Sequence, residues 1–333
     1  MQRGITVRSA AHYDPTVSPA LSLVIVLYNS ADVLSDCLES IRDDAASGWA
    51  EVILVDNASP DESVALGSRV LPDAKHVSLN QNLGFAGGAN AGLRAATGRY
   101  VMLLNPDVRV PADALRQLVS WMDRNPGIAA ASPRLTSSDG VEVFAGRALP
   151  SIWSSLLELS RLHKLLPRRL RGRLLRGAYW TGGDQLNAGW VPGTAMIVRR
   201  STTEAAGLLL EDFFMYGEDL EWCHRIGRTA GRIGVCSSVT VVHDWGSSSK
   251  QSWGEVEAER RVVAGIASAC AVMYGPGHAR VIAAVNALAA ALEACMPGRT
   301  AEHRTRELAL ARNWSRCLRV RAPAPRASSG VSA

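Results

Sequence analysis

Sorted into apolar and polar positions, the first hundred residues repeat one unit: an unbroken apolar run, a cluster of polar and small residues, then a stretch of helical period. Leu23 to Leu27 runs into Tyr28-Asn29-Ser30 and a helical pattern from Ala31 to Ile41. Glu51 to Val55 runs into Asp56-Asn57-Ala58-Ser59-Pro60 and a short helical pattern from Glu62 to Arg69. Lys75 to Leu79 leads to the glycine-rich stretch Asn80 to Asn90 and a helix ending near Ala96; Tyr100 to Leu104 ends at Asn105-Pro106-Asp107. Runs that do not alternate belong to strands buried on both faces. Strands alternating with helices at this spacing predict an α/β fold, with a mostly parallel sheet flanked by helices.

A helix from about Pro111 to Arg124 and a short strand near Ile128 to Ala131 continue the pattern, which then lapses over residues 137–185. So long a connection in a compact domain is usually functional or mobile. Order returns with a small-residue turn and strand from Trp190 to Val198. The densest acidic and aromatic cluster follows, Glu211 to Arg225, and a last strand, Val239 to His243, ends at Asp244-Trp245-Gly246. From about Glu255 to Arg319 the chain turns helical and alanine-rich. The organisation expected is a flexible lead-in (1–20), one large domain (21–255), a helical C-terminal extension (256–320) and a disordered tail (321–333).

Composition allows a sizeable core: 47% of the 333 residues are hydrophobic and 20% charged. The net charge of +5 is local in origin, because Arg161 to Arg176 holds seven Lys and Arg residues and no acid. Leucines interleave with these cations, the composition of a segment lying on an anionic membrane surface. Pro167 and Gly172 interrupt any single long helix, so a solvated loop is the other reading. No apolar run reaches membrane-spanning length, which predicts a cytoplasmic protein, at the inner face of the membrane if the basic tract touches lipid. The six cysteines are scattered without a CxxC pair, which argues for reduced packing residues.

Parallel strands point the same way, so Asn29, Asp56 and Asp107 should meet along the carboxyl edge of the sheet, where open α/β sheets hold ligands. A carboxylate there suits Mg²⁺ or Mn²⁺ with a substrate phosphate; the bland alternative is a turn, which Asn, Pro and Asp all favour. Glu221 and Arg225, four apart on a helix, need be only a surface ion pair. The aromatic residues Phe213, Phe214, Tyr216 and Trp222 could stack on sugar or fill the core.

The ordered series VDNAS (55–59), NLGFAGGAN (82–90), LLNPD (103–107), VPGTAMIVRR (191–200), FFMYGEDLEWCHR (213–225) and VVHDWGSSS (241–249) resembles the family-2 inverting glycosyltransferases of GT-A fold, with the rhamnosyltransferase-like members most similar by motif. Six motifs in this order, over about residues 20–255, are specific where any one is weak. The resemblance implies a Rossmann-like nucleotide-diphospho-sugar transferase. It would move a sugar, L-rhamnose from dTDP-L-rhamnose first among candidates, to a hydroxyl of a glycan or polyprenyl-linked acceptor in polysaccharide or cell-wall synthesis. It implies Asp219 as base, supported by Glu218, and a divalent cation, Mg²⁺ or Mn²⁺, at Asp107 and His243. The usual Asp-x-Asp has Asn105 in its first place, better suited to hydrogen-bonding ribose or sugar than to neutralising charge. Donor contacts are implied at Tyr28, Asn29, Asp56 (to the nucleobase), Asn82, Gly84, Gly87, Asn90 and Asn105, and acceptor contacts at Gly193, Thr194, Trp222 and Trp245. No nucleic-acid partner is expected; the C-terminal helices could join a homo-oligomer. Galactofuranose, N-acetylglucosamine and natural-product sugars remain alternative donors, as does a non-catalytic sugar-nucleotide binder. A nicotinamide-dependent oxidoreductase is disfavoured, because the glycines follow the third strand without dinucleotide spacing.

Overall fold

The computed structural model describes residues 18–144, 146–175, 183–243 and 254–320. The expectations for Trp245, the lead-in up to residue 17 and the tail from 321 lie outside these residues. The four repeating units fold as β1 (Leu21–Leu27), α1 (Ala31–Ala46), β2 (Ala50–Asp56), α2 (Ser63–Val70), β3 (Lys75–Ser78), α3 (Gly84–Ala95) and β4 (Tyr100–Leu104). These strands form a parallel block in the order β3-β2-β1-β4. The run Leu21 to Leu27 is continuous because both faces are covered. Leu21, Leu23, Ile25 and Leu27 pack with Leu34, Leu38 and Ile41 of α1, while Val24 packs with Ala86, Ala89 and Leu93 of α3.

Beyond β4 come β5 (Val108–Arg109), α4 (Ala114–Arg124), β6 (Ile128–Thr136), β7 (Glu142–Phe144), α5 (Ile152–Leu159), α6 (Arg168–Leu175), β8 (Gln185–Ala188), β9 (Ala195–Arg199), α7 (Arg200–Ala206), α8 (Glu218–Thr229) and β10 (Arg232–His243). The sheet is mixed: β9 lies between β4 and β6 and runs antiparallel to both, while β10 is parallel to β6. Strands β1 to β4, β6 and β10 share one direction. The last strand starts at Arg232, well before the expected Val239, and its pairing with β6 shifts register between Cys236 and Thr240, where Ser237 and Ser238 break the apolar run. Residues 137–185 hold β7, α5, a 3-10 turn over Leu162–Leu165 and α6. Pro167 does precede a new helix, but Gly172 sits inside α6 and does not break it.

The C-terminal residues form α9 (Glu255–Tyr274), α10 (Pro276–Ala294) and α11 (Ala301–Arg316) around Val263, Ala267, Ala283, Trp314 and Cys317. This bundle is packed onto the sheet domain: Ala269 of α9 is buried with Phe213 and Leu220 at the start of α8. Asn286 of α10 donates to Ser155 Oγ of α5 (3.1 Å), and Arg161 pairs with Glu293. No helix among the described residues is long and apolar enough to cross a membrane. The six cysteines are free thiols, all buried except Cys295.

Candidate active site

Strand order turns back at β1, since β2 and β3 lie to one side of it and β4 to the other. This is the switch point at which open sheets bind ligands beyond their carboxyl ends. The register pairs Leu27 with Asp56 and Val24 with Leu103, so Asn29, Asp56 and Asp107 follow strand ends along one edge. Tyr28 is exposed on the rim, and Asn29 takes φ +52°, a conformation asparagine tolerates better than most side chains. Asp56 Oδ1 accepts from Ser59 N (2.8 Å), an Asx turn that holds the carboxylate at the edge. Ser59 Oγ accepts from Asn29 N (2.8 Å) and donates to Asp61 Oδ1 (2.6 Å); Asp61 Oδ2 accepts from Ala31 N at the head of α1 (2.9 Å). Partial burial raises the Asp61 pKa, but the bonds from Ser59, Ser63 and Ala31 outweigh it and bring the carboxyl down to about 2. Asp61 went unread in the sequence, where Pro-Asp-Glu-Ser resembles any turn.

The stretch before α3 is tied down by Asn57, another residue the motifs did not single out. Buried at the end of β2, it donates to Asn82 Oδ1 (3.1 Å) and Gly84 O (3.0 Å) and accepts from Leu83 N (2.9 Å). Asn82 also accepts from Gly84 N (2.8 Å), so its amide shapes this loop. A close protein contact requires Gly84: its φ is +78°, and a Cβ there would lie 2.1 Å from Phe214 O, which accepts from Phe85 N (2.8 Å). Gly87 is buried within α3, where a Cβ would meet Leu83. The buried side chain of Asn90 is bonded within the protein. Its amide donates to Leu209 O and Glu211 Oε1 (both 2.9 Å) and accepts from Leu209 N (3.0 Å), so it anchors the 209–211 segment.

Asp107 meets His243 through strand pairing. Pro106 ends β4, and β5 then pairs antiparallel with the end of β10, His243 opposite Val108. Asp107 Oδ1 and His243 Nε2 stand 3.3 Å apart, each side chain less than a tenth exposed. Asn105 is half-buried beside them, its backbone N donating to Thr194 O (2.8 Å).

Across the site, Gly217 (φ +100°) starts α8, and Glu218 and Asp219 occupy its first turn. Asp219 Oδ2 accepts from Gly193 N (3.1 Å) and Oδ1 from Leu220 N (2.8 Å), so both oxygens are held. Gly193 leaves room for the Phe85 ring, 3.0 Å from where its Cβ would stand, and Thr194 next to it is buried. Burial raises the Asp219 pKa against the lowering effect of these N–H groups. Glu218 is raised well above the carboxylate range by burial and by the neighbouring Asp219 charge. Trp222 cannot face an acceptor: it is fully buried in the core, its Nε1 donating to Gly207 O (2.9 Å). Phe213 is core as well. The Glu221–Arg225 pair is not a surface pair either. Glu221 is buried, Arg225 binds both its oxygens (3.0 and 2.6 Å), and the same guanidinium donates to Ala206 O and Leu208 O, fixing α8 to the end of α7.

A cleft of about 460 Å³ bordered by Trp49, Arg99, Arg116 and Asp123 opens at the opposite edge of the sheet. Its cations are engaged, Arg99 with Asp123 and Arg116 with Asp44, and it holds none of the residues above.

The chain is similar to known proteins in sequence and in fold. Residues 22–177 match the family model described as Glycosyl transferase family 2. The low-salt glycan biosynthesis hexosyltransferase Agl10 of Haloferax volcanii is 28% identical over 236 residues, 69% of this chain and 68% of that protein. The N-acetylglucosaminyl-diphospho-decaprenol L-rhamnosyltransferase of Mycobacterium tuberculosis is 25% identical over 251 residues, 68% of this chain and 76% of that protein. Among solved structures, the mannosyltransferase PcManGT from Pyrobaculum calidifontis, in complex with GDP-Man and Mn2+, superposes with a TM-score of 0.56 at 19% identity, covering 91% of this chain and 87% of that one. Fold and relatives point the same way: residues 22–177 are similar to the family-2 glycosyltransferases, the relatives above are glycosyltransferases, and the chain has the GT-A fold.

Proposed function

We propose that this enzyme moves L-rhamnose from dTDP-L-rhamnose to a hydroxyl of a glycan or polyprenyl-linked acceptor, by one inverting displacement at the inner face of the cell membrane. The observation that carries the reaction class is the Asp219 carboxylate, held by two backbone N–H groups at the head of α8 beside the buried Glu218. Asp219 takes the proton of the acceptor hydroxyl as its oxygen bonds to the anomeric carbon and the bond to the diphosphate breaks; nucleoside diphosphate leaves with the electron pair. Restraint of both Asp219 oxygens places the base before substrate arrives.

Asp107 and His243 fit a hard divalent cation: a carboxylate and an imidazole converge, nearly buried, at the ligand edge of the sheet. Among the described residues no third His, Cys, Asp or Glu joins them. When bound, the cation would stabilise charge developing on the departing diphosphate. Asp56 suits the nucleobase, and Asn29, Tyr28 and Asn105 suit the ribose and sugar. Rhamnose is supported by the name of the mycobacterial relative, and a glycan acceptor by that of the haloarchaeal one. Val281, Leu288 and Leu292 are exposed on one face of α10, which would serve as the contact surface of a homo-oligomer.

The test is release of nucleoside diphosphate from dTDP-, UDP- and GDP-sugars, with Mn²⁺, Mg²⁺ or chelator, by wild type and Asp219→Asn. Turnover of dTDP-rhamnose that is abolished by chelator and lowered at least ~10²-fold by the substitution is expected. Preference for another donor would overturn the rhamnose assignment, and equal rates for the variant would remove Asp219 as base.

A further inference from the structure

We infer that α5, the following 3-10 turn and α6 form a platform that docks on an anionic phospholipid surface. Of the large apolar side chains exposed among the described residues, six fall between Trp153 and Leu174, and the two most exposed, Trp153 (82%) and Leu165 (81%), are among them. Their spacing follows the local period. Trp153 and Leu156 share a face of α5, Leu162 and Leu165 an edge of the 3-10 turn, and Leu170 and Leu174 a face of α6.

The platform is ordered by bonds that leave these side chains outside. His163 Nδ1 bonds Leu157 O (3.1 Å), joining the turn to α5. The Arg171 guanidinium donates to the carbonyls of His163 and Lys164 (both 2.9 Å) and Leu166 (3.2 Å), closing the turn onto α6. Ser155 and Arg161 fasten the same segment to α10. A solvated loop would not hold its leucines in this way.

Charge selects the partner. Residues 152–175 carry six Lys and Arg side chains and one acid, Glu158, and Lys164 and Arg169 are exposed beside the leucines. Leucine and tryptophan interleaved with cations match the depth profile of a lipid headgroup region, apolar below and anionic above. Tryptophan is itself favoured at that interface. The membrane contact expected at residues 161–176 thus extends back to Trp153 in α5, which carries no basic residue. The inference rests on the transferase reading only for its purpose, bringing the enzyme to a polyprenyl-linked acceptor; the contact itself is measured without turnover.

Full-length protein is sedimented with vesicles of phosphatidylcholine alone or mixed with phosphatidylglycerol. Wild type should pellet with the mixed vesicles only, and less at high salt. Trp153→Ser with Leu165→Ser should weaken partitioning about tenfold or more, and Lys164→Gln with Arg169→Gln about thirtyfold. Both doubles should keep the wild-type melting temperature and wild-type release of nucleoside diphosphate with a soluble acceptor. Wild type left in the supernatant with mixed vesicles would overturn the proposal, as would doubles that pellet like wild type. A wild-type dimer in light scattering that the Trp153/Leu165 double makes monomeric would assign the face to a second copy instead. Vesicle binding without any sugar transfer would leave this inference standing and refute the function proposed above.

Discussion

Replacing Gly265 by Ala tests whether the C-terminal bundle positions Asp219, the base proposed above. Gly265 lies inside α9, where Ala is intrinsically better by about 1 kcal/mol, so propensity alone predicts a more stable protein. Its new Cβ, however, would stand 2.4 Å from Tyr216 O and 2.8 Å from Tyr216 Cβ, against an ordinary contact beginning at 3.4 Å. Helix and loop must separate by about 1 Å, and overpacking of this kind costs about 1–3 kcal/mol. The two effects nearly offset each other in stability, leaving a shift of a few degrees in melting temperature. They do not offset in catalysis. Tyr216 (φ +69°) and Gly217 lead directly into Glu218 and Asp219, and misplacing a catalytic group by about 1 Å lowers a rate about 10²-fold, or ~2.7 kcal/mol. Steady-state kinetics should show kcat reduced by that factor with the donor KM little changed. Gly227→Ala is the control: it lies within α8 itself with nothing within 4 Å of its Cβ, so it should gain up to ~1 kcal/mol and keep the wild-type rate. A Gly265→Ala enzyme with wild-type kcat would refute the coupling.

The rate should fall as acid is added at a pH above the ordinary carboxylate range, because the raised pKa of Asp219 means the base is lost early; a profile flat down to pH ~4 would count against it. Glu218, raised further, favours the folded state fully below its unfolded pKa, and that contribution is lost as pH rises through the folded value. Glu218→Gln should therefore raise the melting temperature at neutral and alkaline pH and give no gain in acid, as thermal melts across pH would show. Asn57→Ala removes three hydrogen bonds of a buried amide and should destabilise by about 2–3 kcal/mol in urea titration; a loss under ~0.5 kcal/mol would deny its role in tying β2 to α3. Trp222→Ala should cost about 3–5 kcal/mol, whereas an acceptor contact would raise acceptor KM and leave stability alone.

What the sequence made legible was governed by local period. Continuous apolar runs gave β1, β2 and β4, and the polar clusters after the strands mark one edge of the sheet, because strand ends and turn residues are short-range properties. The direction of β9 was not legible, since an apolar strand reads the same whether its neighbours run with it or against it. Gly84 illustrates a second limit. A glycine before a helix suggests close approach of something, but only the fold shows that this is the Phe214 carbonyl. Asn90 and Trp222 were assigned to ligands because motif neighbours attract functional readings. For Trp222 the correcting signal was present: Trp222, Cys223 and Ile226 lie on one apolar stripe of α8. For Asn90 there was none, as its partners lie more than a hundred positions away.

The pairing of β5 with the end of β10 sets an order of events during synthesis. The parallel block β1 to β4 is built from neighbouring units and can condense as soon as its own residues are available, whereas Asp107 acquires His243 only when the chain has been made past residue 243. Gly193 and Asp219 also arrive after residue 177, where the match to the family model ends. A nascent chain or a truncation that stops there would carry the edge formed by Asn29, Asp56 and Asp107 with neither Asp219 nor His243 beside it. On the roles proposed above, such a chain would bind donor before it could transfer the sugar.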